Sequence, residues 1–428
     1  MRRFIRVLTL ALIALVIFLA PSVGAQKQTL RVMLADWMNP TGQVTPQTAL
    51  WNEAVARFQK MHPDTQLSYE AVPWEQLWIK FSIAYEAGTP PDVICIPDMV
   101  IIANAKAGRL LPLDKYVSQY DVEDWSKLLG EATMFNGKRY AIMTNTDIRT
   151  LYFRKDHFTN AGLDPNKRPE TWYWEDFLDI AKKLNHKFGA DQWAFMVIGG
   201  KTLHTPLMWS PLVWAQGGEV VNSDGKAVYD SNEGYKAAAF YQDLIYKYGV
   251  MPRTIVSMQE VDVHRAFMAG KASIIITGNW AGGVFDKEMT DPSVVGWGYV
   301  PYPKNGKPST LSGIWEWSIS SKCKAPDVAW DFVSAMTGKL WVIGDAEIQP
   351  RVPVRKSLVD HPAYSKNSVI RAQAEYGVKF GHPEPTTAYP LEWCDILNVA
   401  LQKIWGENAP VKQTLDAAAK SFNDKYFK

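Results

Sequence analysis

Cysteine is almost absent: only Cys95, Cys323 and Cys394 occur in 428 residues, widely spaced and odd in number. A disulfide framework therefore does not hold this fold together, although a single bridge stays open. Net charge is missing too. Lys and Arg number 46 against 44 Asp and Glu, and such near-neutrality argues against nucleic acid as a partner. Beyond residue 20 no apolar run approaches the roughly 20 residues that a bilayer span needs. The sequence contains no HExxH, CxxC or GxSxG, and its seven His are scattered, as structural or solvated His are. Gly270-Lys271-Ala272-Ser273 resembles the end of a phosphate loop but lacks the earlier glycine, and Gly296-Trp297-Gly298 lacks a third one. Nucleophile and metal chemistry are unsupported, and neither a metal nor a cofactor is expected. A carboxylate pair for glycoside hydrolysis is a tertiary arrangement, and nothing in the sequence singles one out. Internal repeats and low-complexity tracts are absent as well.

What is present begins at the N-terminus. Arg2, Arg3 and Arg6 precede an apolar run over residues 7–20, followed by Pro21 and Val23-Gly24-Ala25. Small residues at those last positions mark a secretory signal peptide, residues 1–25, cleaved after Ala25. The run is short for a membrane anchor. No Cys stands at the junction for lipid attachment, and Arg2-Arg3 lacks the rest of a twin-arginine signature. The remaining length suits two domains of ordinary size.

Strands are predicted over residues 30–34, 67–72, 92–96, 140–143, 151–153, 193–198, 272–277 and 294–300, with another in LSGIWEWSIS at 311–320. Helical spacing places Leu50, Ala54, Phe58 and Met61 on one stripe, and Trp74 and Trp78 on another. Thr171 is a plausible N-cap for a helix burying Phe177, Ile180, Ala181, Leu184 and Phe188. Further helices are expected over 103–107, 206–215 and 326–336, around Ala237, Phe240, Tyr241, Leu244 and Ile245, and through Leu415, Ala419, Phe422 and Tyr426. Alternation of this kind is the pattern of a parallel sheet flanked by helices, an α/β fold. In such sheets ligands lie outside the C-terminal strand ends.

Tryptophan is abundant, with 18 residues. Trp172, Trp193, Trp330 and Trp405 read as core. Trp37, Trp280, Trp315 and Trp393 fall at strand ends or in loops, where binding residues concentrate. The stretch FMAGKASIIITGNWAGG at 267–283 is the most telling. Its apolar strand breaks at Gly278 and presents Trp280 just beyond. An indole there is a flat apolar surface with one donor, suited to the C–H face of a sugar ring. A core role for the same ring is locally as compatible, so its neighbours must decide.

Six segments, in order, resemble the bacterial extracellular solute-binding proteins of ABC importers, of the maltose-binding, family 1 type. They are AGTPPDVICIPDMVIIANAKAGRLLPLDKY, FNGKRYAIMTNTDIRTLYFRKDHFTNAGLD with ETWYWEDFLDIAKKL, GGEVVNSDGKAVYDSNEGYKAAAFYQDLI, FMAGKASIIITGNWAGG, LSGIWEWSISSKCKAPDVAWDFV and PRVPVRKSL. The resemblance implies a two-lobed periplasmic-binding-protein fold (type II), each lobe a mainly parallel sheet flanked by helices. It implies an N-terminal lobe of residues 26–144 with 298–345 and a C-terminal lobe of 145–297 with 346–428. Crossings fall near 143–147, 294–301 and 346–352. It further implies a monomeric periplasmic protein that is not an enzyme and captures a carbohydrate, a di- or oligosaccharide, for transient docking on a membrane permease. Position by position, Asp98 and Asp147 match acidic sugar contacts, and Trp280 and Trp393 match stacking aromatics. Asp36 and Trp37 lie at the first strand's end, where the family contacts ligand. Gly313 and Trp315 enter a late strand, with Trp315 open between cleft and core. Cys95 stands where the maltose-binding type has an aromatic. Thr205 and Leu207 replace an acidic and an aromatic contact, with His204 and Trp209 nearby as substitutes. These departures count against maltose itself. Arg351 and Arg355 keep open a polyol or glycerol phosphate ligand, and a secreted carbohydrate-active hydrolase is the rival from another class.

Overall fold

In this computed structural model residues 28–38, 46–117, 122–125, 130–166, 172–365 and 368–428 are described. The expected signal peptide and the Thr171 cap lie outside them. In chain order the strands are β1 (Gln28–Ala35), β2 (Thr65–Val72), β3 (Val93–Pro97), β4 (Met134–Phe135), β5 (Lys138–Arg139), β6 (Ile142–Thr146) and β7 (Arg149–Arg154). There follow β8 (Trp193–Val197), β9 (Ala272–Gly278), β10 (Val295–Gly298), β11 (Thr310–Leu311), β12 (Ile314–Ile319) and β13 (Gly381–His382).

Two sheets carry the architecture, ordered β2-β1-β3-β12-β6 and β10-β7-β9-β8. β1 runs parallel to β2 and β3, while β12 opposes both β3 and β6. β9 is parallel to β8, while β7 opposes both β9 and β10. All strands but β12 in the first sheet, and all but β7 in the second, therefore point one way. The reversed strands are the ones the chain enters from the other sheet. A strand that follows its own helix arrives at the cleft; a strand that begins at the cleft must run away from it. The cleft thus collects the C-terminal ends of β1, β3, β6 and β9 and the N-terminal ends of β7 and β12. β3 and β9 are buried along their whole length, as expected of strands covered on both faces.

The helical stripes cover these sheets. Pro46–Met61 buries Leu50, Trp51, Ala54 and Phe58. Met61, expected on the same stripe, is exposed at the last helical residue. Trp51 and Phe58 pack edge-on against Phe332 of the helix Pro326–Thr337. On the other sheet, Trp174–Leu184 buries Phe177, Ala181 and Leu184 and stops there, because Asn185 turns to an extended backbone. Phe188 lies past that end and packs on His157 instead. Trp172 and Trp405 are core residues, whereas Trp193 and Trp330 are half-buried.

Three segments link the sheets: Asp147 with Ile148, residues 299–309, and residues 349–352. Ile148, Val352 and Tyr376 form a small apolar cluster apart from the main core, with Tyr299 and Phe380 against it. Tyr376 belongs to the helix Ser368–Phe380 and stacks on Tyr299 at 3.9 Å. Its hydroxyl donates to the Ser309 carbonyl (2.7 Å) and accepts from the Val300 N–H (3.3 Å). Asn279, at the end of β9, accepts from the Ile148 N–H and donates to the Pro350 carbonyl. One side chain thereby ties the first link to the third.

Candidate ligand-binding site

A cavity of about 290 Å³ lies between the facing sheet ends. Trp37, Trp74, Pro97 and Met99 line it from the ends of β1, β2 and β3, and Gly313 and Trp315 from the start of β12. Opposite are Arg149, Trp280, Glu260, His204 and Leu207, while Asp147, Gln349 and Arg351 come from the links and Glu384 from just after β13.

The indoles are individually fixed. Trp280 folds back over Gly278, where a Cβ would meet its ring at 1.8 Å, so only glycine fits. Its Nε1–H donates to Glu260 Oε1 (2.9 Å), and the Arg149 guanidinium sits 4.8 Å from the ring centre. Trp37 and Trp315 meet edge to face at 5.1 Å. Trp74 stacks on His204 at 4.9 Å, a contact between the two sides of the cleft. Burial, followed by the charge of Arg149, brings the His204 imidazole down to about 3. It therefore stacks as a neutral ring at neutral pH.

The arginines are paired from within. Arg149 bonds Asp147 and lies 4.0 Å from Glu384. Arg351 donates to Asp345 Oδ2 at 2.7 Å, and Arg355 lies 3.5 Å from Asp124. Both arginines kept open for an anionic ligand thus already have carboxylate partners. Asp98 accepts from the Glu384 N–H (2.9 Å) and weakly from the Ile314 N–H (3.4 Å). Burial, then the neighbouring Glu316, raises its carboxyl to about 7. Glu384 is raised by burial and then by Asp98.

The sign of the Asp98 shift yields an expected result. A carboxyl whose folded value exceeds its unfolded value binds more protons in the fold. Its stabilising contribution is complete below about 4 and is lost as pH rises through about 7. Asp98→Asn is expected to flatten the fall in unfolding temperature over that window. A slope unchanged in a pH series of melting curves would contradict this.

Of the residues the sequence brought forward, Trp37, Asp147, Trp280, Gly313 and Trp315 line the cavity together. Four others stand outside its lining. Asp36 is exposed and accepts from the Trp37 N–H (2.9 Å), fixing the turn that aims Trp37. Asp98 is fully buried behind Glu384. Trp209 lies in the helix His204–Trp214, whose residues from Thr205 onward are all buried, and packs against Tyr229. Trp393 is buried in the helix Pro390–Glu407 and also packs against Tyr229. Cys95 is core, and the Thr205 hydroxyl donates to the Gly200 carbonyl (2.6 Å), whereas Leu207 does reach the cavity. Sequence reasoning missed Trp74, Arg149, Glu260 and Glu384 as lining residues. Arg149 had a readable signal, a charged residue two positions after Asp147 at the head of the apolar strand RTLYFR.

The model of the bacterial extracellular solute-binding protein family matches residues 41–339. The diacetylchitobiose binding protein of Streptomyces coelicolor is 23% identical over 403 residues, covering 93% of this chain and 86% of the relative. An ABC transporter solute binding protein of Thermotoga lettingae, solved with α-D-tagatose, superposes with a TM-score of 0.79 at 22% identity, covering 93% of this chain and 99% of that one. The maltose-bound MalE3 of T. maritima gives 0.78 at 20% identity, with the same coverage. Among the described residues no helix is long and apolar enough to cross a membrane. With the family model spanning well over half of its length, the chain belongs to the bacterial extracellular solute-binding proteins.

Proposed function

We propose that this protein captures a carbohydrate in the cleft between its two lobes and delivers it, without chemical change, to an ABC permease in the membrane. One observation carries the reading. Indole rings and carboxyl groups surround a single cavity at the sheet ends, the rings from Trp37, Trp280 and Trp315 and the carboxyls from Asp147, Glu260 and Glu384. Rings of that kind cover the apolar face of a sugar, and carboxylates take its hydroxyl protons in the stronger, charge-assisted class of hydrogen bond. Relatives solved or named with diacetylchitobiose, tagatose and maltose support the same class of ligand.

The proposal includes export by residues 1–25 and action as a monomer. It takes the lobe boundaries expected from the sequence, shifted slightly to residues 147, 299 and 349. β6, β10 and the helix Lys339–Ile348 each run just past the earlier limits. Closure over ligand is a population shift, driven by contacts that exist only when both lobes touch the same molecule. Trp37 and Trp315 would grip from one side, Trp280 and Glu260 from the other, with Gly313 leaving room beside Asp147. Asp36, Asp98, Trp209 and Trp393 would support these groups from behind.

A thermal-shift screen of the purified protein against mono-, di- and oligosaccharides, polyols and sugar phosphates tests this. A ligand at ~100 times its dissociation constant adds about 2.7 kcal/mol of stability, a clear upward shift. Carbohydrate hits without release of reducing sugar are expected. Silence from every carbohydrate would overturn the reading, and release of reducing sugar in proportion to protein would replace it with hydrolysis.

A further inference from the structure

The cleft holds more carboxyl groups than its own cations can match. Asp147, Glu260 and Glu384 line the cavity, and Asp98 and Glu316 stand close behind Glu384. The guanidinium groups available to these five are Arg149, which bonds Asp147, and Arg139, which acts on Glu316. Arg351 also lines the cavity but is paired with Asp345.

The mismatch is most acute at Glu384. This residue is 6% exposed and lines the cavity; its Oε2 receives no N–H or O–H from the protein, and its carboxyl is held against that of Asp98, with which it can only share a proton. A buried carboxyl oxygen without a partner is costly. Near it the indole faces of Trp280 and Trp37 already attract cations, Arg149 at 4.8 Å and Arg351 at 5.7 Å. Accepting the carbohydrate reading above, we propose that the ligand carries a protonated amino group, as an amino sugar or aminocyclitol does, with Glu384 Oε2 accepting from the ammonium. Asp147 and Glu260 then take hydroxyl groups of the same molecule.

A neutral sugar would leave the charge mismatch as it is. An ammonium reduces it at Glu384, because it stabilises the ionised form of the carboxyl beside it. The groups facing Glu384 all bear on this. They are Asp98 from the turn after β3, Glu316 from β12, Asp147 from the first link, Arg149 from the start of β7, and Cys394 from the helix Pro390–Glu407. With no cation beside it, burial and Asp98 favour the protonated Glu384. Arrival of the ammonium reverses that preference, and the carboxyl proton leaves to solvent. Amine binding is therefore linked to proton release.

Calorimetric titration of the purified protein with matched ligands tests the proposal. The probes are glucosamine, glucose and N-acetylglucosamine, then diglucosamine, cellobiose and diacetylchitobiose, with 2-deoxystreptamine as the aminocyclitol. At least one amine is expected to bind about tenfold or more tightly than its neutral counterparts. Its affinity should rise with pH for as long as the amine itself stays protonated, with protons released, read from heats in buffers of different ionisation enthalpy. Glu384→Gln should reduce the amine preference to within about threefold. If that variant fails to fold, the proton linkage of the natural protein decides alone. Neutral sugars binding as tightly as their amines, or proton uptake on binding, would overturn the amino-group proposal and leave the carbohydrate reading intact. Absence of binding by every sugar, amine or neutral, would remove both.

Discussion

Trp280→Ala is expected to weaken carbohydrate binding about 100-fold, close to 2.7 kcal/mol, as is typical of a central aromatic anchor. The substitution removes the ring that lines the cavity and the donor that holds Glu260 Oε1 at 2.9 Å. It also deprives Arg149 of the ring it sits over. Trp280→Phe separates these parts. A phenyl ring keeps a flat apolar face over Gly278 but cannot donate to Glu260, so this variant should stay within about tenfold of the natural protein. Titration with the tightest ligand from the thermal screen decides. If alanine at 280 binds within threefold of the original, the indole is not a ligand contact, and the stacking argument for this cleft fails with it. Stability should change less than affinity, because the ring is only partly buried and its loss opens onto an existing cavity.

The same residue shows how far the sequence could be read. An apolar run broken by glycine fixes a strand end, and in an α/β fold a strand end is a place for ligands. Trp37, Asp147 and Trp280 were legible by that logic, and Trp315 as its mirror image, at the head of a strand that leaves the cleft. Glu260 and Glu384 were not. Glu260 begins a helix, where an acidic residue is ordinary capping, and only the packing of that helix beside β9 turns it toward Trp280. Glu384 follows the two-residue strand β13, too short to register as periodicity. Trp209 and Trp393 are the opposite case, brought forward by the sequence but outside the cavity lining. Trp209 sits on a helix buried from Thr205 onward and Trp393 on the buried face of Pro390–Glu407, and there an indole near a family position is indistinguishable from core until its packing against Tyr229 is seen. The general lesson is physical. Strand direction carries position within a sheet, whereas the rotation of a helix about its axis is set by partners far away in sequence.

The second large effect concerns the third link between the lobes. Asp345→Ala is expected to destabilise the protein by about 3–5 kcal/mol, the range for breaking a buried ion pair from one side. Asp345 and Arg351 are both nearly inaccessible to solvent, at 1% and 5% exposure. The Arg351 Nε–H donates to Asp345 Oδ2 at 2.7 Å, and Gln47 reaches the other carboxylate oxygen at 3.3 Å. Without the carboxylate, Arg351 keeps its charge in a dry site, since a guanidinium does not deprotonate near neutral pH. Adding Arg351→Met to Asp345→Ala removes the stranded charge and should recover part of the loss, which a double-mutant cycle in urea would measure. A single-variant cost below about 1 kcal/mol would show that water reaches the pair and that the link is looser than its burial implies. Binding gives an independent readout. Arg351 lines the cavity, and in the natural protein its pairing leaves little attraction for anions, so sugar phosphates are expected to shift the melting curve no more than their neutral parents. In Asp345→Ala the guanidinium is released toward the cleft, and at temperatures where the variant stays folded, sugar phosphates should gain affinity over those parents. Sugar phosphates bound preferentially by the natural protein would mean that the Arg351–Asp345 pair opens to take the ligand, and the cleft would then have to be read as an anion site.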